Sequence, residues 1–315
     1  MTTVRVEAPA RLHLGMLDAS GEGARRFGGV GVGVRAPAAV VKATRSDGEL
    51  TVDGPDAERA LRVAERCREA LGAARGARLE VLEAIPAHVG LGSGTKLALA
   101  VTAALCALEG RWPEPVELAR MAGRGARSAV GLWTFALGGL VVEGGRRRGS
   151  EAPAPLLVRH PMPEEWRCVL AIPAAAPGLS GGAEEAAFEK LRPDPDRSAE
   201  IAQVVLTGLL PALVERDLRE FGAAVTRVQR LVGEAFAPVQ GGTFHSQAAP
   251  LVDALLGLGA AGAGQSSWGP AVYGIFGREA EAHAVARRLE AEFGMPGRVR
   301  VVGFANGGAG IEAVG

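Results

Sequence analysis

The fold class is decided by one stretch of this sequence, Ile85-Pro86-Ala87-His88-Val89-Gly90-Leu91-Gly92-Ser93-Gly94-Thr95-Lys96. Three glycines fall within five positions of it, and they let the backbone turn with its N–H groups facing inward. The run from Lys96 to Leu108 is predicted as a helix whose positive end faces this loop. The stretch therefore predicts a strand, a glycine loop and a helix that together bind a phosphate or pyrophosphate.

The loop supplies polar side chains as well as backbone donors. Five residues are candidates for phosphate binding: Gly90, Gly92, Ser93, Gly94 and Thr95. The two hydroxyls suit phosphate oxygens or a bound Mg²⁺. Lys96 is expected to neutralise phosphate charge, because it is one of only three lysines in the chain. The loop has neither the Walker A order nor the third glycine of a dinucleotide-binding fingerprint, and a purely structural glycine turn is the alternative.

Composition bounds the class of protein. At 315 residues the chain can form two subdomains of roughly 150 residues each. A formal net charge of zero argues against general nucleic-acid binding, and three widely spaced cysteines form no disulfide or metal pattern. The charged N-terminus differs from a signal peptide, and no uncharged apolar run reaches the roughly 18 residues of a membrane span. We therefore expect a cytoplasmic protein.

A second group of polar residues belongs to the predicted strand from Val4 to Leu14 and its continuation. Arg11 and His13 share one face of that strand, because alternate residues point to the same side. Arg11 suits a carboxylate or phosphate, and His13 suits a hydrogen bond or proton transfer, with a structural histidine as the alternative. Asp18, just past the strand, is a candidate Mg²⁺ ligand or a turn cap. Arg26 precedes a further glycine cluster, where a ligand can approach the backbone.

A third glycine-rich segment runs from Gly262 to Tyr273. It places the hydroxyls of Ser266 and Ser267 beside Trp268, just before a predicted strand. Because aromatic residues make up only 4% of the chain, Trp268 is a candidate stacking surface for a flat substrate, with ordinary packing as the alternative. The segment between these motifs, residues 123–139, also offers polar side chains among glycines: Arg124, Arg127, Ser128 and Trp133.

The coarse secondary structure is α+β in two lobes. The proline-rich stretch from Glu151 to Pro155 is the predicted boundary, which gives lobes of residues 1–155 and 156–315. Further strands are predicted in the first lobe at Gly28–Val34, Ala39–Lys42 and Phe135–Val142. Amphipathic helices are predicted in the second lobe, and we expect them to support a homodimer.

Taken together and in this order, the three glycine segments resemble those of the superfamily of galactokinase, homoserine kinase, mevalonate kinase and phosphomevalonate kinase. Pro86 and the Gly90-Leu91-Gly92-Ser93-Gly94 core match its phosphate loop, and Gly262 to Gly269 takes the place of its C-terminal glycine motif. The resemblance covers nearly the whole chain. It implies an N-terminal lobe with a left-handed β-α-β element and a ferredoxin-like C-terminal lobe.

Within that superfamily the details are most similar to the β-ribofuranosylaminobenzene 5′-phosphate synthase family. The similarity rests on four segments: Ala10 to Gly15 with Asp18, Arg26 to Gly31, Gly92 to Lys96, and Gly264 to Pro270. It implies a transfer of ribose 5-phosphate from phosphoribosyl pyrophosphate to 4-aminobenzoate or 4-hydroxybenzoate, with release of CO₂ and pyrophosphate. Such enzymes serve the synthesis of methanopterin-type cofactors, and Mg²⁺ is the expected cofactor.

With this function the candidate residues take specific roles. Four of them are expected to be catalytic: Arg11, His13, Asp18 and Lys96. Arg26 joins the glycine loop in binding phosphate. The aromatic acid is assigned to a separate group: Ser266, Ser267 and Trp268. Asp18 and Ser93 are the candidate Mg²⁺ ligands, and the sequence leaves open which arginine holds the carboxylate and which the 5′-phosphate.

One departure from the kinase pattern bears on the activity. The kinases usually carry an aspartate base in the segment after the loop helix, whereas residues 124–133 contain no carboxylate here. Because phosphoryl transfer relies heavily on positioning and electrostatics, an ATP-dependent small-molecule kinase stays open as an alternative. A non-catalytic nucleotide-binding regulator on the same scaffold is a further alternative.

Overall fold

The computed structural model describes residues 3–19, 23–72, 76–174, 178 and 181–314. The helices are Ala57–Leu71 (α1), Ser93–Leu108 (α2), Pro115–Met121 (α3), Val130–Ala136 (α4), Gly181–Glu189 (α5), Pro195–Val204 (α6), Leu210–Glu215 (α7), Leu218–Gln240 (α8), Ala249–Gly257 (α9) and Glu279–Phe293 (α10). A π-helical turn, Val205–Leu209, joins α6 to α7. The strands are Thr3–Asp18 (β1), Arg25–Ser46 (β2), Thr51–Asp53 (β3), Gly76–Glu83 (β4), Leu140–Glu143 (β5), Arg146–Arg147 (β6), Leu156–His160 (β7), Arg167–Ala171 (β8), Gly262–Gln265 (β9), Val272–Phe276 (β10), Val299–Gly303 (β11) and Gly310–Ala313 (β12).

An eight-stranded sheet forms the first lobe within these residues. Its main order is β12-β1-β2-β4-β3. In addition, β5 and β6 pair with β2, and β7 pairs with β5. The long strands β1 and β2 pair antiparallel, with register shifts next to Arg11 and His13. β3 and β4 are parallel and are connected through α1, which supplies a β-α-β element in this lobe.

A four-stranded antiparallel sheet forms the second lobe, in the order β11-β8-β10-β9. Along the chain, β8 is followed by α5 to α9, then β9, β10, α10 and β11. This is the β-α-β-β-α-β sequence of a ferredoxin-like fold with additional helices in its first connection. The long helix α8 packs on β9 and also on β1, so it contacts both lobes.

Helix α2 is the central helix of the first lobe. Residues 97–108 are all buried, and the helix packs against β1, β2 and α1. A helix that is apolar on all sides must be enclosed on all sides. This enclosure fixes the position of its first turn and of the glycine loop before it. The predicted unit of strand, glycine loop and helix is confirmed in β4, the loop and α2.

Three of the strand predictions are wrong in part. The segment Phe135–Val142 is not one strand, because α4 continues to Ala136 and β5 begins at Leu140. Gly138 and Gly139 lie between them with φ of +63° and +72°, and this left-handed backbone ends the helix and turns the chain into the sheet. The two strands predicted within residues 28–42 are parts of a single long strand, β2.

Sheet membership differs from the predicted division of the chain. β7 begins directly after residue 155 and pairs with β5, so it extends the first sheet. β12, near the C-terminus, also returns to the first sheet and pairs with β1. The boundary between residues 155 and 156 stays a prediction, and the first lobe includes strands on both sides of it.

One helical run in the described part of the chain, Pro195–Glu215, is long and apolar enough to cross a membrane by length and composition. A single run of this kind is weak evidence, because core helices meet the same criterion. The cytoplasmic location and the homodimer stay predictions.

Candidate active site

The glycine loop lines a cavity of about 550 Å³ that has walls from both lobes. The first lobe contributes the loop, part of β1 and the segment 123–128. The second lobe contributes α8 and the residues around Trp268. The structure therefore brings together the three motifs that the sequence analysis selected, and α8 packs on both β1 and β9, which carry two of them.

A hydrogen-bond network joins the glycine loop to the C-terminal glycine motif. The Ser266 hydroxyl donates to the Gly90 carbonyl oxygen at 2.7 Å and accepts from the backbone N–H of His13 at 3.0 Å. Ser266 is fully buried and does not line the cavity. In this position Ser266 holds β1, the loop and the motif together, and its predicted contact with the aromatic acid stays a prediction.

The backbone of the glycine loop and that of the C-terminal glycine motif lie so close together that two positions need glycine. A Cβ atom on Gly90 would lie 2.0 Å from the Ser266 carbonyl oxygen, and one on Gly269 would lie 2.1 Å from the carbonyl carbon of Val89. Gly90 also has a φ of +92°, which L side chains rarely adopt. Gly94 differs, because a Cβ atom there would first meet the guanidinium groups of nearby arginines, at 3.7 and 3.8 Å.

The cationic part of the cavity consists of four arginines: Arg11, Arg59, Arg124 and Arg127. Arg11 lies against Gly92, and its guanidinium donates to the Gly90 carbonyl oxygen. Arg59 and Arg124 are the side chains that approach Gly94. No Asp or Glu is among the described residues that line the cavity. With the N-terminus of α2, these groups form a site for an anion of high charge.

The arginines oppose each other's charge when no anion is bound. Burial, and then the charges of Arg59, Arg66 and Arg127, lower the pKa of Arg124. The Arg124 Nε atom is buried and has no hydrogen-bond partner among the described residues. A bound polyanion would supply both the missing acceptor and the missing negative charge.

The aromatic part of the cavity consists of Phe188, Phe236, Phe244 and Trp268. Trp268 stacks on Phe236 with ring centroids 4.1 Å apart and an interplanar angle of 10°. Phe188 meets the Trp268 ring edge-on at 5.3 Å. Ser267, beside this stack, also lines the cavity. Trp268 and Ser267 thus lie where contact with an aromatic acid is possible, and that role stays a prediction.

Lys96 lies outside the cavity lining. It is fully buried, and its Nζ donates to the Thr134 hydroxyl at 3.0 Å and lies 5.9 Å from the centroid of the Phe135 ring. Burial, followed by the charge of Arg11, lowers the pKa of Lys96 well below its usual value. The side chain thus extends from α2 toward α4 and not into the cavity, and the predicted contact between Lys96 and phosphate stays a prediction.

Asp18 and Arg26 also lie outside the cavity lining. Asp18 ends β1 opposite Phe27, and Arg26 is exposed on β2 opposite Arg146. The roles predicted for Asp18 in catalysis and metal binding, and for Arg26 in phosphate binding, stay predictions that this placement does not support. Asp18 lies beyond the part of β1 that lines the cavity, and no residue of β2 is among the described lining residues.

The cavity does not fit a Mg²⁺ ion held by the protein. Mg²⁺ binding to protein usually involves carboxylates, and the described lining contains none. Ser93 and Thr95 offer two hydroxyls, which leaves most of the coordination to other groups. Within the described residues there is also no cluster of three or more His, Cys, Asp or Glu that could hold a metal ion.

His13 lines the cavity and is connected to a buried carboxyl group. Its Nε2 lies 3.3 Å from the Ser128 hydroxyl, and Ser128 in turn lowers the pKa of Glu143 as a hydrogen-bonding neighbour. The fully buried Glu143 carboxylate also accepts the backbone N–H groups of Ala129 at 3.2 Å and Gly145 at 2.9 Å. Burial, together with the charge of Arg11, lowers the pKa of His13 to about 3.

Burial raises the pKa of Glu143 to about 7, although its hydrogen bonds to Gly145, Ala129 and Ser128 act in the opposite direction. His13 is therefore neutral near pH 7, and Glu143 exchanges a proton in that range.

Sequence reasoning missed Arg59, Phe188, Phe236 and Glu143. Arg59 and Phe236 lie on helices, where periodicity gives the buried face but not its neighbours in the other lobe. Glu143 ends the buried strand β5, Leu140-Val141-Val142-Glu143. A carboxylate at the end of an otherwise apolar strand is the one signal that points to it.

Two family models and several curated relatives match the chain. Residues 58–139 match the GHMP kinases N terminal domain, and residues 209–294 match the GHMP kinases C terminal model. A beta-ribofuranosylphenol 5′-phosphate synthase of Archaeoglobus fulgidus is 35% identical over 325 residues, covering 98% of this chain and 99% of the relative. The protein of the same name from Methanothermobacter thermautotrophicus is 33% identical over 325 residues, covering 96% and 97%.

Solved structures with a similar fold include mevalonate and homoserine kinases. L. major mevalonate kinase in complex with R-mevalonate has a TM-score of 0.72 at 14% identity, with 96% of each chain covered. Homoserine kinase from Cytophaga hutchinsonii has a TM-score of 0.69 at 19% identity, covering 99% of this chain and 98% of the other. At these identities the likeness concerns the fold alone. By its family models and its curated relatives, the chain belongs to the GHMP kinase superfamily and, within it, to the family of beta-ribofuranosylphenol 5′-phosphate synthases.

Proposed function

We propose that the chain transfers ribose 5-phosphate from phosphoribosyl pyrophosphate to a para-substituted benzoate, with release of CO₂ and pyrophosphate. The names of the curated relatives support a synthase with a ribofuranosylphenol 5′-phosphate product. Because that product is a phenol, 4-hydroxybenzoate is the proposed acceptor ahead of 4-aminobenzoate. The proposed place of the reaction is the synthesis of methanopterin-type cofactors.

The observation that carries this proposal is the division of one cavity into a cationic and an aromatic part. Four arginines and the N-terminus of α2 suit the pyrophosphate and 5′-phosphate of the sugar donor. The stack of Trp268 and Phe236, with Phe188 at its edge, suits a flat benzoate ring. A donor of several negative charges and an aromatic acceptor thus have separate places within about 550 Å³.

The reaction needs two bond exchanges at the reacting carbons. The bond between ribose C1 and the pyrophosphate oxygen breaks, and its electron pair leaves on pyrophosphate. The ring carbon that carries the carboxylate bonds to C1 from the opposite face, which inverts C1 without a covalent enzyme intermediate. The bond to the carboxylate then breaks, its electrons return to the ring, and CO₂ leaves.

The residues of the cavity serve this reaction by charge and by position. The loop N–H groups and the arginines stabilise the charge that develops on the departing pyrophosphate. The two walls hold donor and acceptor in line and keep out water, which would otherwise hydrolyse the donor. Mg²⁺ is expected to arrive with the pyrophosphate as part of the substrate, because the protein offers it no carboxylate.

The lining also argues against the kinase alternative. A kinase of this superfamily needs an acceptor hydroxyl to lose its proton, and no described lining residue is a carboxylate that could accept it. The cationic part of the cavity suits a polyanionic leaving group, which a kinase reaction also has. The preference for the transferase therefore rests on the missing carboxylate and on the names of the curated relatives.

One assay tests the proposal. The protein is incubated with phosphoribosyl pyrophosphate, Mg²⁺ and carboxyl-labelled 4-hydroxybenzoate or 4-aminobenzoate, and labelled CO₂ and pyrophosphate are measured. Equal amounts of the two products are expected, with the hydroxy acid reacting faster. A parallel incubation with ATP and homoserine or mevalonate measures ADP. Absence of CO₂ with both acids would overturn the proposal, and ADP formation would favour the kinase.

A further inference from the structure

The proposed reaction, on which this inference rests, releases one proton for which the roles assigned so far give no acceptor. When the ring carbon of 4-hydroxybenzoate bonds to ribose, positive charge reaches the para hydroxyl group and makes its proton strongly acidic. The proton must return when CO₂ leaves and the ring regains its electrons. The described lining of the cavity contains no Asp or Glu that could take it.

A line of polar groups leads from the cavity to a buried carboxyl group. His13 and Ser128 both line the cavity, with His13 Nε2 3.3 Å from Ser128 Oγ. Next to Ser128, the backbone N–H of Ala129 donates to the fully buried Glu143 carboxylate at 3.2 Å, and Ser128 itself lowers the pKa of Glu143 as a hydrogen-bonding neighbour. Gly29 leaves space beside this line: a Cβ atom there would lie 3.0 Å from Glu143 Oε1 and 3.3 Å from His13 Nε2.

The donors and acceptors of the line have one consistent arrangement when Glu143 is ionised. A carboxylate only accepts, so the Ser128 hydroxyl donates to it. Ser128 Oγ accepts the backbone N–H of Val130 at 3.2 Å, and its remaining lone pair accepts Nε2–H of His13. His13 is then the Nε2–H tautomer. Its Nδ1, which bonds to none of the described residues, is an acceptor.

We propose that His13, Ser128 and Glu143 carry the proton of the aromatic acceptor. The para group donates its proton to Nδ1 of His13, the Nε2 proton passes to Ser128 Oγ, and the Ser128 proton passes to Glu143. After CO₂ leaves, the three transfers run in reverse, so the product regains its proton and Glu143 its charge. Glu143 thus holds one proton in each turnover, and His13 changes tautomer without becoming charged.

The titration of the two end groups agrees with this direction. Burial and the charge of Arg11 lower the pKa of His13 to about 3, so the imidazole is a poor place to keep a proton. Burial raises the pKa of Glu143 to about 7, where a group gives and takes protons readily near neutral pH.

The surroundings of Glu143 contain few groups, other than Ser128 and His13, that could influence its charge. The groups that face it are Gly29 from β2, Leu156 from β7, Gly145 from its own hairpin, Ser128 before α4, and His13 from β1. Among the described residues, no charged side chain forms an ion pair with its carboxylate. Its protonation is therefore coupled to Ser128 and His13.

The tautomer of His13 tests the line in the free protein, without substrate. Long-range proton–nitrogen NMR spectra of histidine-labelled protein distinguish the two tautomers, and the His13 signals are those missing from His13→Gln. Well above pH 7 we expect the Nε2–H tautomer. Well below pH 7 the protonated Glu143 donates to Ser128, Ser128 donates to Nε2, and the tautomer becomes Nδ1–H.

Matched variants separate the line from local structure. Ser128→Ala and Glu143→Gln should each remove the pH dependence of the tautomer, and Ser128→Thr, which keeps the hydroxyl, should retain it. A wild-type His13 tautomer that stays the same on both sides of pH 7 would overturn the proposal. An unchanged reversal in Ser128→Ala would overturn it as well.

Turnover then tests whether the line serves the reaction. Ser128→Ala should lower kcat with 4-hydroxybenzoate by about 100-fold, a typical contribution of an acid–base group, with the KM for phosphoribosyl pyrophosphate unchanged. Ser128→Thr should restore most of the rate. A wild-type kcat in Ser128→Ala would rule out the proton transfer. No CO₂ from the wild type with either acid would instead overturn the proposed function, and the NMR result would still judge the hydrogen-bond line.

Discussion

At Arg124 the requirements of binding and of stability oppose each other. Its guanidinium lies near Arg59, Arg66 and Arg127, and after burial their charges lower its pKa. Buried like charges are unfavourable in the free protein. A substrate with several negative charges offsets that cost, so the same side chain destabilises the empty cavity and stabilises the complex.

Replacing Arg124 by Met should therefore separate these two effects. The Arg124→Met variant should bind phosphoribosyl pyrophosphate about 10- to 100-fold more weakly, because a charge-assisted hydrogen bond contributes about 1.5–3 kcal/mol. Its Tm without ligand should be equal to or above that of the wild type. Calorimetric titration and thermal unfolding measure the two quantities. The exposed Arg120 of α3, changed to Met, is the control and should leave both unchanged.

Lys96 gives a prediction for the pH dependence of stability. Burial lowers its pKa, so between that lowered pKa and its usual 10.5 the unfolded chain binds a proton that the folded chain lacks. The free energy of unfolding then rises with pH in this window. Lys96→Met should remove that rise, as measured by denaturant unfolding at several pH values. The control Lys42→Met, at a partly exposed lysine, should keep it, and equal slopes in both variants would contradict the explanation.

Some site residues could be predicted from the sequence because a motif fixed their place. Arg11 follows from the period of β1, and the loop glycines follow from the turn they make. Lys96 could not be placed in this way. It is the fourth residue of a helix enclosed on all sides, and its rarity in the composition says nothing about whether its side chain turns to the loop or to α4. Glu143 needed the fold, since only the pairing of β5 with β2 brings it near His13.

At the scale of elements, the loop between β4 and α2 is built to meet the second lobe. Gly90 has a φ of +92°, and its carbonyl oxygen accepts from both Arg11 and Ser266. The predicted order of strand, loop and helix is correct there, because glycine spacing and an apolar run are local signals. The strand predicted at Phe135–Val142 fails, because a short apolar run fits a buried helix as well as a strand.

Gly90→Ala tests whether the close contact between the glycine loop and Ser266 is needed for stability and for binding. The new Cβ atom would lie 2.0 Å from the Ser266 carbonyl oxygen, and the positive φ adds about 1–2 kcal/mol of strain. We expect a lower Tm and a loss of binding to phosphoribosyl pyrophosphate. The matched control is Gly257→Ala in α9, where a Cβ atom would meet nothing within 4 Å. A Gly90→Ala variant with the stability and binding of the control would show that the close backbone contact between Gly90 and Ser266 is not required.

At the scale of the molecule, the cavity exists because both lobes contribute to it. The first lobe supplies the cationic part through β1, α1, α2 and the segment before α4, and the second supplies the aromatic part through α5, α8, Phe244 and Trp268. The two-lobed α+β fold could be predicted because its glycine motifs recur in a known order. The pairing of an arginine on α1 with one 65 residues later could not, since it depends on how α1 and α3 pack on α2.

A ligand that binds the cationic part should stabilise the whole molecule by mass action. Inorganic pyrophosphate at 100 times its Kd adds about 2.7 kcal/mol, which corresponds to a Tm rise of about 4 °C for a chain of this length. Because the arginines rather than protein carboxylates supply the charge, most of this rise should persist in EDTA. Arg124→Met should show a smaller rise at the same concentration, and Arg120→Met the full one. A rise that appears only with Mg²⁺ would mean that the metal, and not the arginines, is the main partner of the pyrophosphate.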